Sequence, residues 1–189
     1  MIALGIDPDT HNTAVSITVP ECVVAVKVFK VPTKITGQKA VEQMIEVVTD
    51  ELPVWLEEMR SMLRGSINVI VSEGQKITRL TKNWKSVVMI APITGATAAI
   101  ARACTRAPVL VPLPAEWKGT IPKHAKQAHI LRARGYAWEK CGGKEPYCIP
   151  KDGMPGVHGA AELTKTGWKH AVDAVGLADW GLEWLRRPA

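Results

Sequence analysis

Asp7, Glu73, His170 and Asp173 are the residues of this 189-residue chain whose types and positions point most directly to chemistry. Asp7 closes the apolar run Ile2 to Ile6, and Glu73 closes the apolar run Ile67 to Val71. His170 and Asp173 lie three residues apart in a stretch patterned as a helix, so they share one face. A carboxylate at the end of each of two hydrophobic runs is costly to bury unless a charge meets it. A pair of divalent cations meets that need. It would also make the cluster a catalyst of phosphodiester hydrolysis, one ion activating a water and the other stabilising the leaving 3′-oxygen. Because hard oxygen ligands predominate, Mg²⁺ or Mn²⁺ suits the set better than structural zinc.

The elements that must position these groups follow from periodicity. Met1 to Asp7, the alternating Thr13 to Val19, and Val24, Val26 and Val28 with lysines between them are predicted as three strands joined by short connections, an antiparallel meander. From Gln38 to Leu63 apolar residues recur at three and four, which predicts a helix that Pro53 kinks or splits. Ile67 to Glu73 is short and β-branched and is predicted as a buried strand. An Ala-rich helix is expected from Val87 to Thr105, a short strand from Val109 to Leu113, and helices from Pro122 to Arg134 and from Trp168 to Leu185. Between Glu139 and Gly167 the pattern fails while Gly, Pro, Lys and Cys accumulate, so a long, mobile loop is expected there. This order predicts a single α/β domain over 1–189 with a mixed five-stranded sheet, antiparallel first and parallel after. With the first and fourth strands adjacent and parallel, Asp7 and Glu73 emerge at one sheet edge, where ligand sites of open sheets form.

Composition bounds the partners. Twenty-four Lys and Arg against eighteen Asp and Glu give +6 and a pI near 9.2, which favours a polyanion. No apolar stretch is expected to reach the roughly 20 residues of a membrane span, and the start of the chain lacks the pattern of a secretion signal. A soluble, cytoplasmic protein with no membrane partner is the expectation. Cys22 and Cys104 fall in apolar segments and are expected as small buried hydrophobes. Cys141 and Cys148, with His158 ten residues on, raise a zinc site, but their spacing departs from that of zinc knuckles.

Three motifs carry a family resemblance: Gly5-Ile6-Asp7-Pro8, Ser72-Glu73-Gly74-Gln75 and His170-Ala171-Val172-Asp173-Ala174. With Gly95 to Ala99, Val111-Pro112 and Glu116-Trp117-Lys118 between them, they resemble, in order, the RuvC family of Holliday-junction resolvases. The resemblance covers most of the chain, with 139–167 as the extra segment. It implies a ribonuclease H-like fold, a homodimer, and metal-dependent paired nicking of four-way DNA junctions. By motif position it implies Asp7, Glu73, His170 and Asp173 as ligands of two Mg²⁺ or Mn²⁺ ions. Lys118 and a second lysine, Lys123 or Lys126 with Lys123 favoured, would stand near the scissile phosphate. Asp9 departs from the glycine common in the family. Lys76 stands where an aromatic wedge is frequent, and Trp84, flanked by Lys82 and Lys85, is the alternative stacking residue.

Blander readings stand beside these. Asp7 and Glu73 each fit a turn-binding role alone, and Asp179 is expected as a surface acid. Lys76, Arg79, Lys82 and Lys85 fit either a solvated face or a DNA-backbone contact, with Lys118, Lys123 and Lys126 extending the DNA surface. His11, His124 and His129 are expected as surface or locally bonded histidines, and Trp168, Trp180 and Trp184 as core or dimer-interface residues. Competing functions are a broader flap or fork nuclease and a catalytically silent DNA-binding protein of the same fold. An actin-type kinase or ATPase fails on length and on the missing glycine after Asp7-Pro8.

Overall fold

Strand-forming β-branched runs dominate the first thirty residues, and they fold as an antiparallel meander of β1 (Ala3–Asp7), β2 (Asn12–Thr18) and β3 (Val23–Lys30). The computed structural model describes residues 1–74 and 84–188, with the backbone alone for 84–87. Helix α1 (Gln38–Met62) follows, then β4 (Val69–Ser72), helix α2 (Trp84–Thr105) and the short β5 (Val109–Leu110). The sheet order is β3-β2-β1-β4-β5, with β4 parallel to both β1 and β5. A helix, α3 (Pro114–Trp117), precedes α4 (Lys123–Ala133), and the last helix, α5 (Lys165–Leu185), packs across β1, β2 and β4.

The sheet separates two cores. Leu4, Ile6, Ile17 and Ile70 face α1 and α2, where Met44, Leu52, Met59 and Ile93 are fully buried. Ala3, Val69 and Val71 face α5, which contributes Ala171, Val175, Leu177 and Ala178. Fully burying a Leu or Ile side chain stabilises by about 1.5–3 kcal/mol, so these two layers fix where each strand end lies. Alternation puts Asp7 on the α5 side with Ala3 and Gly5. Gly5 decides how near α5 comes: a Cβ there would sit 1.9 Å from the Ala174 carbonyl oxygen. Any side chain would push α5, with His170 and Asp173, away from Asp7.

Several expectations need correction. The 139–167 segment is not structureless. β6 (Trp138–Cys141) and β7 (Tyr147–Pro150) form an antiparallel hairpin, a 3₁₀ turn spans Ala160–Glu162, and Ala25 bridges His158. Met154 and Val157 are buried in the α5-side core. Isolated apolar residues, set among Gly and Pro, do this without periodicity. Helix α1 runs unbroken through Pro53 rather than splitting. Cys22 and Cys104 are exposed, because Cys22 follows a turn and Cys104 points outward at the end of α2. Asp179 is largely buried and paired with Arg134, which also donates to the Val19 and Pro20 carbonyls. Val88–Thr105 of α2 is long and apolar enough to cross a membrane by length and composition, which was not expected. Its Ile, Val, Met and Ala residues outweigh the Thr residues, Gly95, Pro92 and a single Arg, giving a mean hydropathy of 1.4.

Candidate active site

Parallel pairing of β1 with β4 brings Asp7 and Glu73 out at the same edge, and the Glu73 amide donates to the Ile6 carbonyl (3.1 Å), extending the ladder by one bond. Helix α5 starts at Thr164, whose side chain accepts from the Gly167 amide (3.2 Å). That start sets the rotation by which His170 and Asp173, at i and i+3, face the strand ends. His170 Nδ1 lies 2.8 Å from Asp7 Oδ2. Lys118, next after α3, donates from Nζ to Glu73 Oε1 (2.8 Å), and the Trp117 indole N–H donates to the same oxygen (3.0 Å). Lys123, at the start of α4, pairs with Asp173 Oδ2. The structure thus brings Asp7, Glu73, His170, Asp173, Lys118 and Lys123 together. Lys126 instead lies over the Trp117 ring, 6.0 Å from its centroid.

Each carboxylate of the cluster is matched by one basic partner, and all are well shielded: the side chains of Asp7 and Asp173 are 7% and 5% exposed, that of Glu73 12%. Burial pushes the Asp173 and Glu73 carboxyls above their ordinary range, and the Asp7 charge pushes both further, against the pull of Lys123 and Lys118. At Asp7 burial acts in the same direction, but the His170 hydrogen bond and charge, with Lys123 and Lys118, outweigh it and hold the carboxyl low. Burial alone would lower the His170 pKa; the Asp7 contact raises it above the ordinary value. Desolvation would lower that of Lys123 as well, yet Asp173, Asp7 and Glu73 together raise it.

Three hard carboxylates and one imidazole fit a divalent cation by donor chemistry. Among the described residues no group of three is arranged as a ready coordination shell. The ammonium groups of Lys118 and Lys123 explain this, since they already hold Glu73 and Asp173. A cation would take over the charge compensation that lysines supply here.

Two contributors escaped sequence reasoning. Gln127 is fully buried on α4; its amide donates to Asp173 Oδ1 (2.9 Å) and to the Lys169 carbonyl (2.9 Å), and its Oε1 accepts from the Cys148 amide (2.9 Å). It ties the hairpin, α4 and Asp173 into one unit. Trp117 is buried against Gly176 of α5, where a Cβ would meet its ring at 2.9 Å, and its N–H aims at Glu73. The only hint of Trp117 was its place beside Lys118, and Gln127 had none. Asp9 proves to organise the turn after β1, its Oδ1 accepting from the His11 and Asn12 amides. Lys76, Arg79 and Lys82 lie outside the described residues, as do the side chains of Trp84 and Lys85.

An antiparallel meander continued by parallel strands, with helices on both faces and acidic groups at the ends of the central pair, is the ribonuclease H-like fold. Within it, the chain has the architecture of RuvC. RuvC of Thermus thermophilus matches over 98% of this chain and 96% of that one, with a TM-score of 0.58 and 17% identity. T. thermophilus RuvC in complex with a Holliday junction substrate matches over 98% and 95%, with a TM-score of 0.59 and 14% identity. No protein-family model and no curated protein sequence matches the chain.

Proposed function

We propose that this protein is a divalent-metal-dependent endonuclease that resolves four-way DNA junctions by paired, symmetric nicks. The observation that carries the reading is the convergence of Asp7, Glu73 and Asp173 with His170, Lys118 and Lys123 at the ends of β1 and β4. The RuvC-like fold supports the junction as substrate.

Asp7, Glu73, Asp173 and His170 would hold two Mg²⁺ or Mn²⁺ ions, which when bound supply Lewis-acid charge and an activated water for in-line attack on a phosphodiester. His170 fixes the Asp7 carboxylate by their 2.8 Å contact, and Gln127 fixes that of Asp173. Lys118 and Lys123 bring positive charge to the non-bridging oxygens, where it stabilises the transition state more than the ground state. Trp117 walls the Glu73 side and excludes water, which strengthens every charge interaction inside.

A four-way junction is two-fold symmetric, so paired nicks call for two copies of the chain. Helix α2 supports a homodimer: Val88, Ala91, Pro92, Gly95 and Ala99 are exposed on its apolar outer side, and nothing lies within 4 Å of a Cβ built on Gly95.

The test is an end-labelled cleavage assay with Mg²⁺ or Mn²⁺ on a mobile four-way junction, a flap, a fork and a linear duplex, with sedimentation of the same preparation. Symmetric nicks on the junction by a dimer are expected. Equal cutting of all branched forms would replace the reading by a general branched-DNA nuclease, and binding without cutting by any metal would replace it by a silent DNA-binding protein.

A further inference from the structure

The hairpin β6–β7 and the outer side of α4 enclose a groove of about 540 Å³ that the candidate active site does not use. Its floor is apolar, made by Ala125, Ala128 and the buried Cys148. Its walls are basic: His129 and Arg132 from α4, and Lys140 from β6. No acidic residue lines it, although the chain carries eighteen. Glu139, the nearest in sequence, alternates to the other face of the strand, where it meets Cys141 and Lys165. At the rim stands Trp138, 38% exposed, an uncommon setting for so large an apolar ring. It shares its strand face with Lys140, two residues on.

An exposed indole beside cationic groups over an apolar floor matches what single-stranded nucleic acid offers: a base plane to stack and phosphates to pair. We infer that this groove holds an unpaired nucleotide of the branched DNA substrate, its base stacked on Trp138 and its phosphates on Arg132 and Lys140. The inference rests on the proposed function and adds a substrate-holding site to it. Charge complementarity selects the occupant, because an apolar peptide would leave the basic walls without partners.

Position gives the groove its use. Lys123 to Arg132 spans nine residues of α4, about 14 Å at 1.5 Å per residue, or roughly four base-pair steps of DNA. Gln127 bonds both to Asp173 and to the Cys148 amide in the groove floor, so groove and carboxylates are held in register. A strand seated there reaches the scissile position at a fixed offset.

The experiment is junction binding by the full chain without divalent metal, measured by fluorescence anisotropy across a salt series on a four-way junction and on a linear duplex. Trp138→Ala, Trp138→Phe, the double variant Arg132→Ala/Lys140→Ala and a remote control, Arg60→Ala, are compared with the wild type. Trp138→Ala is expected to weaken junction binding about tenfold and duplex binding less than twofold, with Trp138→Phe restoring it, as a stacking role requires. The double variant is expected to flatten the salt slope by about two phosphate contacts. Unchanged junction affinity and slope in a wild type that binds junctions overturns the groove and leaves the nuclease reading intact. Equal losses on junction and duplex overturn the unpaired-nucleotide assignment. A wild type that binds neither DNA overturns both.

Discussion

Replacing Gln127 by leucine keeps the volume of a fully buried side chain while removing every polar contact it makes. The Cys148 amide loses its 2.9 Å acceptor inside the core, which costs about 1–3 kcal/mol for a buried unsatisfied donor. Asp173 loses a charge-assisted bond from a group with nowhere to find water, worth about 1.5–3 kcal/mol. The Lys169 carbonyl lies within α5 and counts for less. Together the loss is about 3–5 kcal/mol, a large part of a stability of roughly 5–15 kcal/mol. In urea, at about 2 kcal/mol per M, the unfolding midpoint of the metal-free chain should fall by about 2 M. Gln127→Glu adds a discriminating arm. It keeps an acceptor for Cys148 but sets a carboxylate against Asp173, so it should be at least as unstable as the leucine variant at neutral pH. The introduced acid has a raised folded pKa, so its deficit should shrink as pH falls through that value. A midpoint within about 0.3 M of wild type for Gln127→Leu would refute the reasoning, because a buried three-bond bridge cannot be removed without loss.

Four further outcomes are expected. Asp7→Asn and Asp173→Asn should each abolish cutting, by at least about a thousandfold given the several kcal/mol asked of a cation centre, while junction affinity changes less than threefold; gel-based cleavage and anisotropy measure the two. Gly5→Ala should destabilise by more than about 3 kcal/mol by denaturant melt, since its Cβ would lie 1.9 Å from the Ala174 oxygen. Arg134→Ala, which leaves Asp179 buried without its partner, should cost about 3 kcal/mol in the same assay. The pH dependence of metal-free stability has a defined sign. His170 has a raised folded pKa, so its contribution is complete below its ordinary 6.5 and is lost as pH climbs through the folded value. Asp7 is lowered, so its contribution is present above its ordinary 3.8 and is lost as pH falls through the folded value. The stability lost in His170→Gln, read from melts between pH 5 and 9, should therefore be largest near pH 6 and shrink toward pH 9.

Legibility in the sequence followed the strength of the periodic signal. β1 and β4 stood out because Leu4, Ile6, Ile70 and Val71 form β-branched or aliphatic runs that are buried on both faces of a central strand pair. Once those strands were parallel, Asp7 and Glu73 had to share an edge, and the i, i+3 spacing of His170 and Asp173 needed only a helix. The hairpin was invisible for the opposite reason. Trp138 and Lys140 are exposed, Gly142 and Gly143 break the pattern, and in the hairpin's strands only Cys148, Ile149 and Pro150 are buried. Gln127 could not be found from spacing, because its partners lie at 148, 169 and 173 and meet only after three elements have packed. Asp179 looked like a surface acid because its cation, Arg134, is remote in sequence. The membrane-length window in α2 was missed because Pro92, Gly95, the Thr residues and Arg102 interrupt its apolar residues, so that no unbroken run stands out although the window's mean is apolar.

The most direct measurement is diffraction from crystals grown with Mn²⁺, recorded at the manganese absorption edge. The expected result is anomalous density between Asp7, Glu73 and Asp173, with the Lys118 and Lys123 ammonium groups no longer paired to Glu73 and Asp173. Manganese bound elsewhere, with both lysine pairs intact at saturating metal, would contradict the claim that this cluster is a divalent-cation centre.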